Sequence, residues 1–169
     1  MTAQSHENPV LVAMFEHHNW SNLQIIDFCS TLSDEQLALT APGVFGSVID
    51  MIKHIFANEA HYLGFLDGCD PIAGLSQRGP FPGWNTIRTV AEQSGNALIA
   101  FAASLEGDPI QRSIDRGEPF AIPTSVFLTQ VIDHATEHRS HIRTVLSSNR
   151  IAPPEIDGWT WLETLPKQD

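Results

Sequence analysis

Four long segments of the chain place apolar residues at helical spacing, and no run alternates convincingly as a half-buried strand does. They extend from Asn8 to about Thr31, from Ser47 to about Gly68, from about Asn85 to Leu105 and from Thr124 to about Ser148. Three of them open on residues that cap free amide groups, such as Asn8 before Pro9 and Ser47 before Asp50. We therefore expect an all-α fold, most simply a four-helix bundle, with residues 1–169 forming a single domain.

The later connections are too rich in proline and glycine to continue a helix. They cover residues 68–84 and residues 107–123, and the second leaves room for a short hairpin around Asp115-Arg116-Gly117. Long connections permit crossovers, so the pattern leaves open which helices are neighbours. A short additional turn is expected at Ser33, which has the Ser-x-x-Gln capping pattern. Beyond the fourth helix, Trp159 and Trp161 are expected to pack back onto the body.

Composition narrows the expected partners and location. The formal net charge is −11, and the 9 lysines and arginines form no run. Nucleic acid is therefore not expected, because neutralising phosphates needs a clustered basic surface. The longest apolar run, residues 97–105, is far short of the roughly 20 residues that cross a bilayer. The N-terminal sequence lacks a signal-peptide pattern, and Cys29 and Cys69 belong to no CxxC pair, so we expect a cytoplasmic protein with unpaired cysteines.

The fourth helical segment carries histidines on the face that a helix normally buries. His134, His138 and His141 fall on the same stripe as Phe127 and Val131. His134 and His138 stand one turn apart, about 5–6 Å between Cβ atoms, which allows two ring nitrogens to reach one metal ion.

The second helical segment offers a third ligand. His54 and His61 are seven residues apart on one face, roughly 10 Å along the axis, so only one of them can join the pair. A site of His54, His134 and His138 would link two helices of the bundle. For His61 and His141 the alternative is a core histidine bonded to a carbonyl, or exposure at a helix edge.

Other residues near these positions remain open to two interpretations. On the first helix, His17, His18 and Trp20 are candidates for a pocket wall, although His17 also fits a helix surface. Among Glu59, Asp133 and Glu137, one carboxylate could orient a ligand imidazole. The simpler interpretation makes all three solvated charges or ion-pair partners of Arg139 and Arg143.

Several stretches together resemble the DinB/YfiT-like four-helix-bundle metalloproteins. They are LSDEQL at the end of the first helical region, SVIDMIKHIFANEAHYL, HATEHRSHI and the tail PPEIDGWTWL, which together cover nearly the whole chain. The resemblance implies a bundle with a long crossover connection, and a divalent metal bound by His54, His134 and His138. Ser140-His141 stand where the family more often has Gly-Gln or a similar pair, so the role of His141 is left undetermined.

Three neutral imidazoles leave an open coordination position, which is the pattern of catalytic sites. A metal held this way lowers the pKa of bound water to about 7 or deprotonates a coordinated thiol. Nitrogen ligands suit zinc, nickel, iron or copper, and zinc is our first choice.

The resemblance implies a metal-dependent thiol S-transferase or isomerase that acts on a small-molecule substrate with a low-molecular-weight thiol. His61 and His141 would then line the cavity as proton-handling or hydrogen-bonding groups. One alternative is a metal-dependent hydrolase that uses metal-bound water. The other is a non-catalytic, stress-associated metal-binding bundle that forms a homodimer.

Overall fold

Helices dominate the architecture. The computed structural model describes residues 8–66, 75–76, 79–115 and 117–167. In chain order the elements are α1 (Pro9–Cys29), α2 (Asp34–Leu37), α3 (Val48–Leu63), α4 (Trp84–Ser104), β1 (Ile110–Asp115), β2 (Glu118–Pro123), α5 (Thr124–Ser148) and α6 (Gly158–Leu162). The predicted all-α fold with four long helices is confirmed.

The first helices begin where their capping residues predict. The Asn8 side chain accepts a hydrogen bond from the Leu11 amide at 3.1 Å. Ser33 and Ser47 each form a reciprocal capping box with the residue three positions later, which opens α2 and α3.

Two helix ends differ from the prediction. The N-cap of α5 is Pro123, and the Ser125 amide donates to the Asp108 carboxylate at 2.7 Å, so the cap comes from the preceding link. The third helix of the chain, α3, ends at Leu63 with Gly64 as its C-cap, earlier than the predicted Gly68. Residues 67–74 lie outside the described residues.

The four long helices pack in the cyclic order α1, α4, α3, α5, so that α1 lies opposite α3 and α4 lies opposite α5. Residues 30–47 and 105–123 therefore connect opposite helices, and these are the crossovers. The second crossover contains the predicted hairpin, an antiparallel β1–β2 pair that matches Ile110 with Pro123.

The apolar core is divided into two clusters along the bundle. One is built around Ile25, Met51, Ile55, Ile87 and Ile142, and the other around Phe15, Leu63, Leu98, Phe127 and Val131. On α1, α3 and α4 the residues between these clusters are polar and buried, namely His18, Asn22, Glu59 and Ser94. The bundle therefore contains an internal polar layer.

Cys29 lies in the first of these clusters as a free, fully buried thiol. Burial raises its pKa to about 12, so the thiol stays protonated and chemically inert at neutral pH. Cys69 lies outside the described residues.

The tail follows the prediction only in part. The ring of Trp161 packs against His17 with 5.5 Å between centroids, whereas Trp159 is 79% exposed. The expectation that Trp159 packs onto the body was wrong, because its side chain on the short helix α6 stays exposed to solvent. Within the described ranges, no helix is both long enough and apolar enough to cross a membrane.

Candidate metal centre

Three histidines from two adjacent helices come together at the surface of the bundle. His54 lies on α3, and His134 and His138 lie on α5. One ring nitrogen from each lies within 4.8 Å of the others, and the Nε2 atoms of His54 and His134 are 3.1 Å apart. The three rings are also in mutual contact, with centroids 4.6–5.0 Å apart.

Helix geometry explains the convergence. His134 and His138 are separated by one turn, so both rings project from the same side of α5. Helix α3 packs directly on α5 and presents His54 to the gap between them. His138 is buried, whereas His54 and His134 are only partly covered, so the cluster is reachable from solvent.

The environment keeps these imidazoles in their neutral form. Burial, reinforced by His138 and His54, lowers the pKa of His134 from 6.5 to about 4. Burial is also the main cause that lowers the pKa of His54 and of His138. Neutral imidazole is the form that binds metal ions, because protonation removes the lone pair.

Two side chains that the sequence did not single out complete the surroundings. Phe45 stacks on His54 with 4.1 Å between centroids and meets the edge of His138 at 5.7 Å. The Asn58 amide group lies 3.1 Å from His54 Nε2 and donates to the His54 carbonyl at 2.9 Å. Asn58 stands one turn after His54, a spacing that could have indicated the contact.

The loop before α3 places Phe45 over the cluster. Gly43 and Gly46 flank it with φ of +83° and +64°, a left-handed conformation that favours glycine. Phe45 is 49% exposed although it is aromatic, so its ring forms an outer wall of the site.

A family model for the DinB family matches residues 3–166. The chain belongs to the DinB family. The crystal structure of a DinB-like protein from Bacillus cereus is similar in fold, with a TM-score of 0.63 and 19% sequence identity, covering 90% of this chain and 99% of that chain. No curated protein shows significant similarity to this DinB-family chain.

The residues of this DinB-family chain fit a divalent metal ion by their chemistry. Two nitrogens bound to one zinc ion at about 2.0–2.1 Å lie about 3.4 Å apart in tetrahedral geometry, close to the separation of His54 and His134. The neighbouring cations point elsewhere, since Lys53 donates to the Gly79 carbonyl at 2.7 Å and Arg139 donates to Asn22.

His141 and His61 occupy different surroundings. The ring of His141 contacts His138 with 5.8 Å between centroids, and its Nδ1 is buried with no hydrogen-bond partner among the described residues. His61 is exposed and contacts Phe65, so it stands apart from the three-histidine cluster. The placement of His141 is compatible with a cavity role, whereas His61 occupies the exposed edge that was its alternative.

The candidates on α1 do not line the cluster. The Nε2 of His17 lies 3.1 Å from the Ile156 carbonyl oxygen, and Trp20 packs beside His17. His18 is 1% exposed and bonds to Glu59. Of the two interpretations left open for these residues, a wall of the three-histidine cluster is therefore not what the structure places here, because this side of α1 faces the tail and the bundle axis.

The carboxylates of Glu59, Asp133 and Glu137 differ in their exposure and partners. Asp133 and Glu137 are exposed, as the simpler interpretation predicted. Glu59 is 3% exposed, so its interpretation as a solvated charge was wrong. It accepts from His18 and not from a cluster imidazole, because its oxygens point toward α1 and α4.

An open groove lies away from the three histidines. A space of about 500 Å³ between α1 and α5 is lined by Leu11, Met14, Leu128, Ile132 and Asp133, and by none of the three clustered histidines. Its lining is mainly apolar and offers no group of metal ligands.

Proposed function

We propose that His54, His134 and His138 hold one divalent metal ion, zinc being the first choice, and that the chain is a metal-dependent thiol S-transferase or isomerase. The observation that carries the metal site is the approach of three neutral imidazole nitrogens to within 4.8 Å on a partly exposed face. The resemblance in HATEHRSHI and the surrounding motifs supports the reaction class. The proposal includes a small-molecule substrate, a low-molecular-weight thiol, a cytoplasmic location and a homodimer.

When bound, the ion supplies positive charge that favours ionisation of a thiol at neutral pH. The protein keeps the ligands neutral and partly excludes water from the site. Burial keeps the ligands neutral, since it lowers the pKa of each imidazole. Phe45 excludes water by covering the rings of His54 and His138.

The surroundings of the centre favour an apolar substrate. Tyr62 meets the edge of His134 at 5.8 Å between centroids, and Phe127 packs against Tyr62 at 5.7 Å. Together with Phe45 these rings frame the cluster with aromatic surface. The ring of His141, in contact with His138, is an additional group that could accept or deliver a proton.

The test is a comparison of reactions with and without thiol. Untagged protein is analysed for metal, then incubated with an apolar electrophile in the presence and absence of a low-molecular-weight thiol. Turnover that needs both metal and thiol supports transfer or isomerisation. Turnover without thiol would instead indicate hydrolysis, and bound metal without turnover in any assay would indicate a non-catalytic metal-binding bundle.

A further inference from the structure

A buried carboxylate, Glu59, lies inside the bundle on α3, the helix that also carries His54. Glu59 Oε2 lies 2.8 Å from His18 Nε2 and accepts from the Asn22 amide group at 3.0 Å. Its other oxygen accepts from the Ser94 hydroxyl. The network therefore joins α3 to α1, which lies opposite it, and to α4, which lies beside it.

A buried arginine extends the same network to the fourth long helix. Arg139 is 4% exposed and donates to the side-chain amide oxygen (Oδ1) of Asn22 and to the Thr136 hydroxyl. Asn22 thus bridges the carboxylate of Glu59 and the guanidinium of Arg139. Side chains from all four long helices meet in this one polar layer.

The layer is adjacent in sequence to the candidate metal centre on both helices that form it. Glu59 follows Asn58, which contacts His54, and Arg139 follows His138. Successive helical residues point about 100° apart, so one residue of each pair can face the cluster while the next faces the bundle axis. The placement of α3 against α5 is therefore held at the level where the histidines converge.

Stability alone does not explain such a layer. Charges are costly to bury, and replacing a buried ion pair by packed apolar side chains is often neutral or stabilising. Apolar clusters already fill the bundle on both sides of the layer. Buried polar groups are better attested as devices that select one alignment of packed helices.

The carboxylate is held in its ionised form. Burial alone would raise the pKa of Glu59, but interaction with His18 and the hydrogen bond from Ser94 bring the pKa below its ordinary value. A charged acceptor makes stronger hydrogen bonds than a neutral one and fixes its partners more firmly.

We propose that Glu59 is a positioning residue of the metal centre: its bonds to His18, Asn22 and Ser94 set the alignment of α3 and α5 that brings His54 to His134 and His138. This inference rests on the proposed function only in requiring that the three histidines bind a metal.

The test compares Glu59→Gln, Ser94→Ala and Thr124→Val with the wild type. Glu59→Gln keeps the shape and removes the charge, and Ser94→Ala removes one hydrogen bond but keeps the charge. Thr124→Val is the matched control. Thr124 is 0% exposed on α5, and its hydroxyl accepts from Gln111 at 2.7 Å and donates to Pro109, ten residues from His134.

For each protein, Zn²⁺ affinity is measured by competition with a chelator, and Co²⁺ is added so that its d–d absorption reports the arrangement of the ligands. We expect Glu59→Gln to weaken Zn²⁺ binding by about 10- to 100-fold and to change the Co²⁺ spectrum. Ser94→Ala should weaken it by about 2- to 10-fold. Thr124→Val should lower Tm with affinity and spectrum unchanged.

The inference is overturned if Glu59→Gln or Ser94→Ala folds and keeps wild-type affinity and spectrum while only its Tm falls. If Glu59→Gln does not fold, the Zn²⁺ affinity and Co²⁺ spectrum of Ser94→Ala alone decide the question. The inference is also overturned if Thr124→Val weakens Zn²⁺ binding as much as Glu59→Gln and Ser94→Ala do. Loss of affinity would then be a consequence of destabilising the fold at any buried polar position. Failure of the wild type to bind Zn²⁺ would refute the proposed function itself, and the two failures are thus distinguishable.

Discussion

The Nε2 atom of His54 lies 3.1 Å from the Nε2 atom of His134, although 80 residues separate them in the chain. At this separation the two rings cannot both carry a proton on the facing nitrogen without strong repulsion. The contact joins α3 to α5, and the nearby His138 completes a group of neutral ligands. The behaviour of the metal-free protein in acid follows from this arrangement.

We predict that the metal-free protein loses stability as the pH falls from about 6.5 to about 4. The unfolded chain protonates His134 near its ordinary pKa of 6.5, whereas in the folded state burial, with His138 and His54, lowers that pKa to about 4. Between these values the unfolded state binds more protons, so the free energy of unfolding decreases with decreasing pH. Thermal unfolding with chelator present, measured from pH 7 to pH 4.5, tests this.

The matched variants are His134→Gln, which cannot be protonated, and His61→Ala, which removes an exposed ring outside the cluster. His134→Gln should make Tm less dependent on pH, and His61→Ala should not. Equal pH dependence in His134→Gln and the wild type would show that His134 does not titrate in this window.

Phe45→Ala should keep one metal ion per chain but release it faster. The stacked ring covers His54, and aromatic pairs of this kind contribute about 0.5–1.5 kcal/mol. Metal release to excess chelator should therefore accelerate about 2- to 12-fold. Val126→Ala, a change at another exposed apolar residue, is the control and should leave the rate unchanged. An unaltered release rate in Phe45→Ala would show that the Phe45 ring does not help to retain the metal.

His141→Ala and His61→Ala should both retain stoichiometric metal. His141 contacts His138 but lies outside the group of three, and His61 contacts Phe65 at the helix edge. Elemental analysis of both variants checks this. Loss of metal from His141→Ala would mean that the third ligand had been assigned to the wrong residue.

Local features of the chain were predictable because their causes are local. Ser33 and Ser47 form their capping boxes within three residues, and α2 and α3 begin where these boxes predict. The spacing of His134 and His138 likewise placed both rings on one side of a helix. In contrast, Ser125 is held by Asp108, which is 17 residues earlier, and the helix-start pattern contained no sign of that contact.

The environment of Glu59 was not predictable from its own helix. Its partners His18 and Ser94 are 41 and 35 residues away and come from two other helices. Only the packing order of the bundle brings these side chains together. The same reason applies to Phe45, whose position over His54 depends on the loop with Gly43 and Gly46.

Gly95→Ala should have opposite effects in two backgrounds. A Cβ atom at Gly95 would lie 2.2 Å from the Asn19 Cγ, so either the Asn19 side chain or the spacing of α1 and α4 would have to shift. We expect a loss of about 1–3 kcal/mol in the wild type. In Asn19→Ala the obstruction is gone, and the higher helix propensity of alanine should stabilise by up to about 1 kcal/mol.

Urea unfolding of the four proteins in this double-mutant cycle measures the coupling. Equal effects of Gly95→Ala in both backgrounds would contradict the close approach of Asn19 to Gly95.

The most direct test of the account is the metal content of untagged wild-type protein and of His54→Ala, His134→Ala and His138→Ala after equilibration with Zn²⁺ and removal of excess. We predict one equivalent per chain in the wild type and loss of retained metal in each variant, together with loss of the thermal stabilisation that Zn²⁺ gives the wild type. Metal content that is unchanged in the three variants, or a wild type that retains none, would contradict it.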